Sequence, residues 1–374
     1  MKKTKISLLC LGVAFLTFSC EKEMEEMELT SSGSSNAEVA AYQEIPANLA
    51  IKSMDGLVPV NENLRYLLVN EAVEATECGP TNFVSVQNKY ISPLVNDLYR
   101  VFGPEQYVNM FYLYLDLNFY AAAFDESEQY FGANGEYTDF MKNRQKGLER
   151  FWNMPNQILV NGQHTATLNN REKLADVYEI VGVNITSRAQ ALAVADQILY
   201  FNTLSQYLPE SPFFASDGFA TTYRNLIVIG DGIVDMLSET GVDKDIVWTG
   251  ILAHEWAHQI QFKNTAKWYP NGAASDPAEA TRYTELEADF LAAYYMTHKR
   301  GATYNAKRVA QFFELFFQIG DCSFSNPGHH GTPLQRMAAA ELGFRLADEA
   351  QKQGGILTPQ QAHAYFVANI NNLL

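Results

Sequence analysis

The chain has 374 residues, 47% of them hydrophobic, and carries 27 basic against 43 acidic side chains for a formal charge of −16. That is ample apolar material for a large core, in one big domain or two intimate ones. The acidic balance argues against nucleic acid and against an anionic membrane surface as partners.

Residues Met1 to Cys20 open with Lys2, Lys3 and Lys5, followed by an apolar run from Ile6 to Phe18 that is too short and wrongly flanked to span a bilayer. It reads as an export signal. The run ends in Ser19-Cys20 and turns abruptly to EKEMEEMEL, which resembles the processing site of a bacterial lipoprotein, with residues 1–19 removed and Cys20 lipidated. Thr17-Phe18 departs from the strict motif, which prefers an aliphatic and a small residue there. The acidic run also resembles the surface-export signal of Bacteroidota lipoproteins. That resemblance implies a cell-envelope lipoprotein of the outer membrane, exposed at the surface and touching the membrane through its lipid anchor only. A soluble secreted protein cut nearby is the alternative. Removal of the signal takes three lysines and no acid, so 24 basic residues face 43 acidic ones, a charge of −19. Residues 20–44, acidic and Ser-rich, read as a disordered tether.

The rest, 45–374, reads as mainly helical (α+β), with extra N-terminal helices over about 45–215 and a small sheet. A short helix fits Leu64 to Ala75. Phe83 to Phe102 and Glu105 to Phe124 are apolar and aromatic, with Pro104 at the first position of the second helix. Within it, FYLYLDLNFY alternates like a strand, yet the longer pattern favours helix. Thr138 to Trp152 reads as another helix. In QILVNGQHTATL, Asn161-Gly162 between two β-prone runs is the strongest hairpin signal of the chain, and His164 on it reads as a surface residue. Helices over Asn170 to Val181 and Ser187 to Gln206 follow. Leu226 to Ile229 is a compact strand, too short for periodicity to say whether it lies at an edge or in the core. Gly230-Asp231-Gly232 lacks the further glycines and lysine of a phosphate loop.

The chemistry concentrates in IVWTGILAHEWAHQIQF, Ile246 to Phe262. On a helix, His254 and His258 share a face and can reach a single tetrahedral metal. Glu255, one residue on from His254, is then placed to take a proton from a water attacking a carbonyl beside the metal. This HExxH is the zinc-hydrolase signature. Nearly every neighbour is apolar or small, so two histidines and a glutamate are costly there unless ligated or paired.

Asn264 to Ser275 reads as a loop. Asp276-Pro277-Ala278-Glu279 then starts a helix that stops before Gly301, and the same device recurs at Thr332-Pro333-Leu334-Gln335 and Thr358-Pro359-Gln360-Gln361. A further helix fits Tyr304 to Ile319. The helix from Pro277 carries YTELEADFLAAYY, in which Glu285 and Asp289 share a face while Glu287 is about 200° round from Glu285.

HExxH followed by ExxxD on the next long helix resembles the gluzincin metallopeptidases, in particular the bacterial neutral zinc metallopeptidases and membrane CAAX-processing proteases. The resemblance covers about Phe219 to Ala350. It implies a zincin-like domain and a zinc-dependent peptidase acting on protein or peptide. Zinc would be held by His254, His258 and Glu285, with Glu255 as general base and Asp289 orienting a ligand histidine. It further implies that the strand before the HExxH helix lies at the sheet edge beside the metal and pairs with substrate backbone. A metzincin would need glycine at 261 and histidine at 264, where this chain has Gln261 and Asn264.

The segment SNPGHHGTPLQRMAAA resembles the His-Gly and Gln-Arg stretch downstream of the ligand glutamate in the same family. His329, His330 and Arg336 are therefore candidate transition-state stabilisers, with one of the histidines expected near the metal and Arg336 expected to pair with a buried carboxylate. Cys78 and Cys322 remain after signal removal and lipidation, and an oxidising compartment permits a disulfide between them. A different class of function stays open: a noncatalytic surface lipoprotein that binds glycans or proteins, with a structural metal closed by four protein ligands.

Overall fold

The computed structural model describes residues 42–54, 57, 81–303, 306–318, 331–353 and 355–370. The signal segment, Cys20, the tether up to residue 41, the helix expected at Leu64 to Ala75, Cys78, Cys322, His329 and His330 lie outside these. The fold is mainly helical with one small sheet, as the sequence implies. From Tyr42 onward the chain forms one compact unit. Ordered chain begins before the expected end of the tether, since the Gln43 amide donates to the Val101 carbonyl (3.0 Å).

The N-terminal helices are α1 (Asn82–Phe102), α2 (Tyr107–Phe124) and α3 (Thr138–Phe151). Helix α2 buries residues on every side, among them Phe111, Tyr114, Leu117 and Phe119. A helix apolar all round carries no 3.6-residue stripe, which is why its sequence also reads as a strand. Pro104 sits in the turn before α2 rather than at its first position. Strand β1 (Leu159–Gln163) precedes α4 (Arg171–Val181) and α5 (Arg188–Asn202), whose first turns are capped by Asn170 and Ser187.

The hairpin expected at Asn161-Gly162 is not formed. Both residues lie inside β1, which runs parallel to β3 (Leu226–Gly230). Asn161 spends its side-chain amide on the Ala122 and Asp125 carbonyls at the end of α2, both at 2.8 Å. Gly162 allows close approach, because a Cβ there would lie 2.5 Å from the Tyr130 carbonyl oxygen. His164 is buried rather than on the surface. Its ring stacks on Tyr130 and its Nδ1 lies 2.5 Å from Asp231.

The three strands run in the order β1-β3-β2, with β2 (Gly218–Thr221) antiparallel to β3. The run Leu226 to Ile229 is thus the fully buried centre of the sheet, and the edge position expected for it belongs to β2. Helix α6 (Asp231–Ser238) leads into α7 (Lys244–Trp268), which carries the HExxH. Helix α7 runs past Asn264, where the loop was expected to begin. Asn264 and Thr265 return their side chains to the Ile260 and Gln261 carbonyls, which suits continued helix.

Helix α8 (Pro277–Thr297) starts on the Asp276 cap, whose carboxylate accepts from the Glu279 amide (3.0 Å). Then come α9 (Ala306–Gln318), α10 (Pro333–Gln353) and α11 (Pro359–Asn369). The last two open with reciprocal capping boxes, Thr332 with Gln335 and Thr358 with Gln361. Two glycines let these helices close on the site. A Cβ at Gly250 would lie 2.3 Å from Leu315 of α9, and one at Gly343 would lie 2.2 Å from the Phe290 carbonyl of α8.

Candidate metal centre

One helical turn separates His254 from His258 on α7, and their Nε2 atoms face each other at 3.1 Å. Glu285 of α8 completes the group, with Oε2 3.2 Å from His254 Nε2 and Oε1 3.3 Å from His258 Nε2. Zinc bonds of about 2.0–2.2 Å in a tetrahedron put ligand atoms about 3.3–3.6 Å apart. The separations observed are close to that edge. Among the described residues, these three are the group of His, Cys, Asp or Glu whose ligand atoms converge.

The hydrogen bonds behind the rings decide which nitrogen carries a proton. His254 Nδ1 lies 2.9 Å from Asp289 Oδ1, and a carboxylate only accepts, so Nδ1 is the donor. His258 Nδ1 lies 2.8 Å from Gln261 Oε1. That amide is oriented in turn, because its Nε2 donates to the Thr284 carbonyl (2.8 Å) and to Glu287 (3.1 Å). With Nδ1 engaged from behind, each ring turns its Nε2 to the Glu285 carboxylate, and in its neutral form offers a lone pair there, a donor set that suits a metal cation.

Charge agrees. Burial works to depress the His254 pKa, yet the Asp289 and Glu285 carboxylates carry it up to about 10. His258 is raised as well: burial works to lower it, and the charge and hydrogen bond of Glu285 together with the Glu255 charge carry it up. The field in this pocket therefore favours positive charge. Glu255, Glu285 and Asp289 are all buried, and Arg336 supplies one compensating charge. Its Nε donates to Asp289 Oδ2 and its Nη2 to Oδ1, both at 2.7 Å. A divalent ion would supply positive charge of the kind this field favours.

Arg336 thus pairs with a buried carboxylate, and the guanidinium stands behind His254 by way of Asp289. It comes within 3.8 Å of Glu285. Gly343 and Arg336 lie seven residues apart on one face of α10, so the close crossing at Gly343 brings the guanidinium onto α8. Glu255 is directed toward the edge strand, where a Cβ on the exposed Gly218 would lie 3.9 Å from its Oε1.

Sequence reasoning missed Gln261, Glu287, Tyr269 and His363. Glu287 is fully buried and turned away from the ligands, accepting from His363 Nδ1 (2.6 Å), from the Tyr269 hydroxyl and from Gln261. The spacing of His258 and Gln261, three apart on one helix face, was the available signal. His363 comes from the far end of the chain and left none.

Comparison of the chain with protein-family models, with curated proteins and with solved structures returns no match in any of the three.

Proposed function

We propose that this chain is a zinc-dependent peptidase, with His254, His258 and Glu285 holding the metal. The observation that carries the reading is the convergence of two histidine Nε2 atoms and one carboxylate within 3.3 Å of one another, each ring fixed from behind. Zinc bound there supplies Lewis acidity toward a peptide carbonyl and makes a nearby water a better nucleophile at neutral pH. Glu255 accepts the proton of the attacking water and delivers it to the leaving amine nitrogen. Asp289 holds the His254 tautomer, and Arg336 keeps Asp289 charged and in place.

Strand β2 offers its open side beside Glu255, where extended peptide backbone would lie. The resemblance to gluzincins, which implies an extended substrate at a sheet edge beside the metal, is consistent with this placement, and the His258 side chain keeps partial exposure. Three protein ligands converge among the described residues, the number held by a catalytic zinc site that keeps one position open. Metal analysis of the purified mature domain, followed by a protease assay with and without chelator, tests the reading. One zinc per chain with chelator-sensitive cleavage is expected, and zinc without any cleavage would favour the binding-protein alternative.

The sequence around Cys20 supports a lipidated envelope protein, and the sequence resemblance makes His329 and His330 candidate further donors to the site. Cys20→Ser is expected to release the protein from membranes; unchanged fractionation ends the lipid assignment. Full activity in a His329→Ala, His330→Ala double variant ends the role of that loop.

A further inference from the structure

We propose that Gln261 is the positioning residue for His258, and that α11 reaches the metal centre through it by way of His363 and Glu287. The inference rests on the metal-site reading above.

A primary amide has two ends of similar shape and opposite hydrogen-bonding sense. Which end faces His258 decides the tautomer of that ring. If Nε2 of Gln261 pointed at Nδ1, the ring nitrogen would have to accept, and the proton would sit on Nε2, aimed at the metal position. The structure forbids this from the other side. Nε2 of Gln261 donates to the Thr284 carbonyl at 2.8 Å and to Glu287 Oε2 at 3.1 Å, neither of which can donate in return, leaving Oε1 at 2.8 Å from His258 Nδ1. The Thr284 carbonyl sets this orientation and the Glu287 carboxylate reinforces it, because neither can donate.

Glu287 is itself held. It is 0% exposed, and its oxygens accept from His363 Nδ1 at 2.6 Å and from the Tyr269 hydroxyl. The His363 ring lies flat on Trp268 at 4.2 Å, and the Trp268 indole N–H donates to Gln360 of α11 (2.9 Å). Every joint from α11 to the metal ligand is therefore a hydrogen bond whose donor and acceptor are fixed. The two ligand histidines are also held differently, His254 by a charged carboxylate and His258 by a neutral amide. A second carboxylate on His258 would add negative charge beside Glu255 and Glu285, whereas the amide fixes the ring without it.

The test compares the full mature chain with its Gln261→Met and His363→Phe variants. Methionine keeps the length and loses the acceptor; phenylalanine keeps the stack on Trp268 and loses the donor to Glu287. Zinc affinity is read by competition with a chromophoric chelator. Gln261→Met is expected to bind zinc about ten- to a hundredfold more weakly, and His363→Phe to weaken it in the same direction by less. Cobalt-substituted Gln261→Met is expected to show shifted visible absorption bands, which a loss of fold stability alone would not produce. Unchanged affinity and an unchanged cobalt spectrum would overturn the proposal while leaving the metal reading intact. Wild type without zinc would overturn both. Should Gln261→Met fail to fold, imidazole nitrogen NMR of the zinc-loaded wild type decides. A slowly exchanging proton on His258 Nδ1 is expected, and a proton on Nε2 overturns the proposal.

Discussion

Arg336 and Asp289 form a doubly hydrogen-bonded ion pair with both bonds at 2.7 Å and side chains only 3% and 0% exposed. Removing one partner strands the other charge in the core. Arg336→Met is accordingly expected to cost about 3–5 kcal/mol in denaturant unfolding of the metal-free protein. The double change with Asp289→Asn is expected to recover part of that loss while still weakening zinc binding. Equal stability of wild type and Arg336→Met would show that the pair does not form.

Metal retention separates the roles of the three glutamates. Glu255→Gln is expected to keep one zinc per chain while hydrolysis falls by about 10²–10⁴, since in the proposed role the side chain moves a proton and holds no metal. Glu285→Ala is expected to lose the zinc, whereas Glu287→Gln keeps the stoichiometry, since Glu287 bonds Gln261, Tyr269 and His363. Elemental analysis of the three dialysed variants reads this directly. The opposite ranking of residues 285 and 287 would move the ligand.

Gly218 leaves room rather than bending the chain. A Cβ there would meet Ile251 Cγ2 at 3.2 Å and lie 3.9 Å from Glu255 Oε1, and its backbone lies in strand β2. Gly218→Val is therefore expected to fold and to bind zinc as wild type does. Its kcat/KM on peptides is expected to drop tenfold or more, about the cost of displacing substrate by a fraction of an ångström. Undiminished cleavage would place the substrate elsewhere.

Asp125 provides a pH-dependent contribution from outside the candidate metal centre. Burial pushes its carboxyl up, but Lys173 at 2.7 Å and the Ser127 bonds bring it down to about 2. A depressed carboxylate stabilises the fold fully above its unfolded value near 4, and that stability is lost as pH falls toward 2. Lys173→Met is expected to be about 1 kcal/mol less stable at pH 6, a figure reduced for partial solvent exposure, and to converge on wild type near pH 2. A parallel pH profile for the two proteins would contradict this.

Local signals were readable wherever the chemistry is local. The helix starts at Asp276, Thr332 and Thr358 needed only a cap, a proline and a side chain three residues on; each helix starts there, with the cap bond at Asp276 and both bonds of the box at Thr332 and Thr358. The facing of His254 with His258, and of Glu285 with Asp289, follows from helix pitch alone. What the sequence could not decide is where a side chain finds a partner distant in the chain. Asn161-Gly162 reads as a turn because that pair permits one, yet Asn161 meets the open carbonyls of α2 and stays in strand. Leu226 to Ile229 is too short to show which face is wet, and only its pairing on both sides makes it the centre. Glu287 reads as a helix residue turned from the metal. That it anchors Gln261, and that His363 closes the set from 76 residues away, depends on helices α7, α8 and α11 meeting in a core that no local pattern encodes.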